Sequence, residues 1–154
     1  MNIVVSGTTR ADVDEAEVAE FVESILRQES VADDSTLSVT FIDTAAMSDL
    51  NVEHMSKQGP TDVLSFPIED AAPGHPPTAI AGGPPLDLGD IFICEDVVEA
   101  HAVGHDVAFI DELHLMVVHG VLHILGWDHH NDVEAEAMEL REAQYLSTIG
   151  LTRR

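Results

Sequence analysis

The chain has 154 residues, 45% of them hydrophobic, with six Lys and Arg against 29 Asp and Glu for a formal net charge of −23. That length and apolar content fit one domain, residues 1–154, with one core, and exclude a disordered chain. The single cysteine, Cys94, excludes an internal disulfide and a cysteine-built zinc site, and no apolar run reaches the ~18 residues of a membrane span.

Asn2–Ser6 is a short apolar run that reads as a strand. The N-terminus lacks the basic region and long apolar stretch of a signal peptide, so the expected location is the cytoplasm. Asp12, three residues before Glu15, predicts a helix start, and Val18, Phe21, Val22 and Ile25 continue it as an amphipathic helix to about residue 28. Ser30–Ser35 is a polar turn. Thr36–Ile42 alternates and is rich in β-branched residues, which predicts a strand. Asp43 caps a helix over Ala45–Met55, stopped by Gln58-Gly59-Pro60. Asp62–Phe66 is a third strand, ended by Pro67.

Residues 69–85 hold five of the seven prolines and three glycines, a composition for an exposed loop. It leads to a strand over 86–93, expected to pair with 62–66 as a hairpin with a long connection. Glu95–Val103 is a short helix. Asp106 is the expected cap of the next, Val107 to about Leu125, which is apolar nearly all round and so is the central buried helix. Gly126 ends it. Asn131, with Glu134 three on, starts a last helix to about Ser147. The order predicts an α+β domain, a small sheet with one helix buried against it.

The central helix carries the chemistry. His119 and His123, at i and i+4, put two imidazoles on one face, one turn apart. Gly126 can take the left-handed conformation that brings His129 back toward the same point. Three nitrogen ligands with a fourth position open is the coordination of a catalytic metal, and zinc is the preferred ion, although imidazole also suits Cu, Ni and Fe. Asp128 can accept the second ring N–H of a ligand histidine and fix its tautomer, or serve as a turn residue capping backbone. His130 is expected to point to solvent. His114 reads as a surface residue or one that supports the ligands from behind, and His54, His75, His101 and His105 as solvated. The spacing HxxxHxxGxxH is also that of a large class of zinc proteases, whose general base is a Glu directly after the first His. Gly120 stands there instead, so a peptidase of that design lacks the group that activates its water. Cys94 reads as a small packed residue.

HGVLHILGWDHH (His119–His130) resembles the HGxLHLxGYDH signature of the YbeY endoribonucleases. Leu50-Asn51 followed by GPTDVLSFP (Gly59–Pro67), and LGDIFIC (Leu88–Cys94), resemble two further segments of that family in the same order and spacing. The resemblance runs from about residue 36 to 130. It implies a four-stranded mixed sheet with about five helices. It also implies a bacterial, cytoplasmic, metal-dependent endoribonuclease specific for single strands. Such an enzyme acts in maturation of the small-subunit ribosomal RNA 3′ end and in ribosome quality control. Its implied partners are single-stranded and ribosomal RNA and the small ribosomal subunit with its proteins, with no membrane and no DNA. The implied zinc ligands are His119, His123 and His129.

Two positions depart from the family. Trp127 replaces a frequent Tyr. Met55 stands where many members have an Arg that binds substrate or acts in catalysis, and Met cannot replace a bidentate phosphate clamp. Lys57, the only basic residue nearby, is the candidate phosphate contact. The expected chemistry is an acidified metal-bound water with a polarised phosphoryl oxygen. No catalytic side chain is identified, and Asp62, Asp90 and Asp128 are the candidate general bases. A net charge of −23 by itself argues against a nucleic-acid partner. Two alternatives therefore stand beside the nuclease: a ribosome-assembly factor with a mainly structural metal, and a metallohydrolase of another substrate such as a peptide.

Overall fold

A computed structural model describes all 154 residues. The elements, in chain order, are β1 (Asn2–Ser6), α1 (Glu15–Gln28), β2 (Ser35–Ile42), α2 (Thr44–Met55), β3 (Val63–Pro67), β4 (Leu86–Cys94), α3 (Glu95–Gly104), α4 (Phe109–Ile124) and α5 (Asp132–Ser147). This is the expected α+β architecture. The four strands form one mixed sheet in the order β1-β2-β4-β3. β1 and β4 both run parallel to β2, and β3 closes the far edge antiparallel to β4, with Ser65 opposite Ile91. The hairpin partnership of 62–66 and 86–93 is therefore present, with its long connection.

Alternation along β2 places Leu37, Val39 and Phe41 on the inner face of the sheet. There they join Ile91 and Ile93 of β4, the apolar stripe of α1 and most of α4 in one core. The outer face is covered at one end by α2, where Met47, Leu64 and Cys94 form a smaller apolar cluster. Cys94 is thus the packed residue expected, and burial raises its thiol pKa. No single helix is long and apolar enough to cross a membrane.

Two helix starts differ from expectation. Asp14, not Asp12, caps α1, its carboxylate accepting from the Ala16 and Glu17 amides. Asp12 is taken by Arg10 instead, at 2.9 Å, so the ion pair removes it from the competition for backbone donors. The central helix begins at Phe109, with Ala108 at the cap position and no side-chain cap. Asp106 lies in the left-handed region, φ 54°, as part of the turn that ends α3. The expected caps Asp43 and Asn131 do bond the Ala46 and Glu134 amides.

Candidate metal centre

From Glu112 to Leu125 every residue of the central segment is buried except His119 and His123. These two lie on the one face of α4 that opens beside β3, the edge strand. Gly126 follows with φ +90°, and a Cβ there would meet the Ala71 carbonyl oxygen at 2.1 Å, so only glycine lets the 68–85 loop close on this turn. The reversal brings His129 back, and the ligand-capable nitrogens of the three histidines lie within 4.8 Å of one another. They line an open cleft of about 710 Å³ together with the edge of β3, the end of α2 and the turn Gly126–His130.

The donor chemistry of this cluster follows from its hydrogen bonds. His119 Nδ1 lies 2.8 Å from Oε2 of Glu142, and His123 Nδ1 lies 2.9 Å from the Trp127 carbonyl oxygen. A carboxylate and a carbonyl can only accept, so both Nδ1 atoms carry a proton, and in the neutral rings both Nε2 atoms present lone pairs. Those two Nε2 atoms stand 2.9 Å apart. Two lone pairs held at that distance, with a third imidazole beside them, form a pocket complementary to a cation, so the residues present fit a transition metal. Burial, and then the neighbouring His119, lower the His123 pKa to about 4, which keeps this ring in its neutral, ligating form.

Glu142 was not legible as a site residue. Burial pushes its pKa up, but hydrogen bonds and charge from His119 and Arg153 outweigh that and hold it below the ordinary value. The available signal was its position. It lies on the core-facing stripe of α5 with Met138, Tyr145 and Leu146, where an acidic residue needs a partner.

Asp128 takes the second of its two expected roles. Its carboxylate accepts from the His129 amide at 2.8 Å and lies 2.6 Å from the exposed His130 ring, and none of the three clustered rings bonds to it. Burial raises its pKa, and the His129 amide with the surrounding histidines lowers it further than that. His114 departs more. It is buried between α1 and α4, with Nδ1 at 2.7 Å from the Ile110 carbonyl and Nε2 at 2.9 Å from Glu17, so it belongs to helix packing rather than to the surface or the site. Of the candidate bases, Asp62 and Asp128 line the cleft. Asp62 Oδ2 is 3.1 Å from Nδ1 of the exposed His101. Asp90 instead accepts from Ser38 on the neighbouring strand and does not line the cleft. His54, His75 and His105 are exposed, as expected.

Lys57 stands at the cleft on a short loop that Asn51 pins twice. The Asn51 carbonyl accepts from the Lys57 amide at 3.2 Å, and its side-chain amide donates to the Gly59 carbonyl at 2.9 Å. The chain has six Lys and Arg residues. Arg10, Arg27, Arg141, Arg153 and Arg154 are each paired with a carboxylate, and Lys57 alone has none. Met55 lines the same cleft.

Gly120 faces the sheet. A Cβ there would lie 3.0 Å from Ile91 Cγ2 and 3.3 Å from Val63 Cγ2, and the Gly120 carbonyl accepts from the Ser65 hydroxyl at 2.9 Å. The position that the zinc proteases fill with their glutamate is closed by strands β3 and β4.

The family model described as Endoribonuclease YbeY matches residues 4–150. This chain belongs to the YbeY family. Among curated relatives, the Endoribonuclease YbeY of Salinispora tropica is 40% identical over 157 residues, covering 99% of both chains. That of Mycolicibacterium paratuberculosis is 41% identical over 145 residues, 92% of this chain and 80% of the relative. A Thermotoga maritima protein solved in solution shares the YbeY-family fold seen here. Its TM-score is 0.63 at 25% identity, over 93% of this chain and 85% of that one.

Proposed function

We propose that this chain is a metal-dependent endoribonuclease that cuts single-stranded RNA. The observation that carries the reading is the pair of facing Nε2 lone pairs in a cleft whose one free cation is Lys57. Membership of a family whose relatives are named endoribonucleases supports the reaction class.

His119, His123 and His129 hold the ion, and zinc suits three neutral imidazoles with an open position. A bound divalent cation supplies Lewis acidity to the phosphoryl group and to the attacking oxygen. Lys57 contacts a non-bridging phosphate oxygen as a point charge, a role that Met55 cannot share. Asp62 and Asp128 are the carboxylates in the cleft available to take a proton. Their closeness to the phosphate path requires the ion and Lys57 to offset a strongly acidic chain. The open cleft admits an unstacked strand more readily than a duplex. Ribosomal RNA, in particular the small-subunit 3′ end, is the proposed substrate within a cytoplasmic role in ribosome maturation, on the strength of the family resemblance.

The second reading is an assembly factor on the small ribosomal subunit with a mainly structural metal. The charge of −23 and Met55 favour it. Incubation of metal-loaded protein with matched single-stranded and duplex RNA separates the two. The nuclease reading expects cleavage of the single strand by wild type and not by His119→Ala. Equal background in both would leave the assembly factor.

A further inference from the structure

Glu142 has a side chain only 2% exposed, yet both of its oxygens are taken. Oε2 accepts from His119 Nδ1 at 2.8 Å and Oε1 accepts from Arg153 Nε at 3.0 Å. Arg153 lies beyond α5, in a segment that folds back on the helix through the Leu151 amide and the Leu146 carbonyl. The next residue, Arg154, forks onto Glu112 of α4 at 2.7 and 3.0 Å. Arg153 is further fixed by Nη1 donating to the Arg154 carbonyl and by Nη2 lying 3.6 Å from Glu139.

The two helix histidines are oriented differently. His123 is held by the Trp127 carbonyl, a group of its own turn. The orientation of His119 depends on a carboxylate 23 residues away. We infer that Arg153 is a positioning residue of the metal centre: through Glu142 it holds the His119 ring in the ligating tautomer and so sets the affinity for the ion. The inference rests on the reading that the three histidines bind a metal. Its physical basis is that a buried carboxylate with one partner removed turns toward water. That movement weakens the acceptor that orients the His119 ring and raises the ring's basicity. Partners directly behind a metal ligand typically change affinity about 10–100-fold. Arg153 acts one bond further out, at the lower end of that range, about tenfold.

The test is zinc affinity of the full chain, by competition with a chromophoric chelator, alongside melting of the metal-free protein. The variants are Arg153→Gln, Arg153→Lys and Arg154→Gln, with His119→Ala as reference. We expect Arg153→Gln to bind zinc about tenfold more weakly, and Arg153→Lys to recover most of the loss by donating to the same oxygen. Arg154→Gln is expected to lower the melting temperature by stranding Glu112 while leaving affinity unchanged. Wild-type affinity in Arg153→Gln overturns the inference. So does equal weakening in Arg154→Gln, which would mean general loosening of the folded-back segment. Failure of wild type to bind zinc, or binding unaffected by His119→Ala, overturns the underlying reading as well.

Discussion

The Nε2 atoms of His119 and His123 face each other at 2.9 Å while the opposite nitrogen of each ring is bonded to a group that only accepts. With both rings neutral this arrangement sets lone pair against lone pair, and a cation between them relieves it. Zinc at a hundred times its dissociation constant is therefore expected to stabilise the fold by about 2.7 kcal/mol. That is about 5–10 °C in a domain of this size. Differential scanning of metal-free and zinc-loaded protein measures it, and His123→Ala should show no zinc-dependent rise.

Acid should loosen the metal-free protein in a defined window. The folded-state pKa of His123 is about 4, below its ordinary 6.5, because the ring is buried and faces His119. Between those values the unfolded chain binds more protons than the folded one. The stability this ring contributes is thus present above pH 6.5 and is lost as pH falls toward 4. Allowing for solvent at a half-buried ring, the loss is about 2 kcal/mol. Glu142, also lowered, acts with the same sign. Urea midpoints at pH 7 and pH 5 should differ for wild type, and by less for His123→Gln.

Lys57→Ala should weaken RNA binding about tenfold and reduce the salt dependence of log K by about 0.7, the loss of one phosphate contact on a single strand. Because Lys57 is exposed and unpaired, folding stability should change by less than about 0.5 kcal/mol. Lys57→Arg should restore binding. An unchanged salt slope in Lys57→Ala would remove this residue from the phosphate path.

Gly120→Glu completes a zinc-protease motif on paper. Here even a Cβ meets Ile91 at 3.0 Å, and a buried carboxylate adds to that clash. The variant should lose at least ~3 kcal/mol and gain no peptidase activity. A stable variant that digests casein would contradict the packing described.

What was legible beforehand was local. The three histidines, the glycine after the helix and the caps Asp43 and Asn131 each declare themselves within a few residues. The hairpin of β3 and β4 was visible because Pro67 ends the first strand and a loop rich in Pro and Gly leads straight into the second. The misses came from partners distant in the chain. Asp12 reads as the cap of α1 until Arg10 claims it. His114 reads as peripheral until Glu17 of α1 arrives to bond it. Glu142 is hidden among Glu134, Glu136 and Glu139 of an acidic helix, and only its place on the buried face of α5 sets it apart. The isolation of Lys57 likewise follows only after every arginine has been matched to its carboxylate.

The most direct test measures metal content and RNA cleavage in parallel on wild type and His123→Ala, with a circular single-stranded RNA that has no ends. About one metal per wild-type chain is expected, with internal cleavage that stops with a chelator and returns with zinc. His123→Ala should lack both metal and cleavage. Cleavage by His123→Ala at the wild-type rate, or an intact circle with fully loaded wild type, would contradict the proposed function.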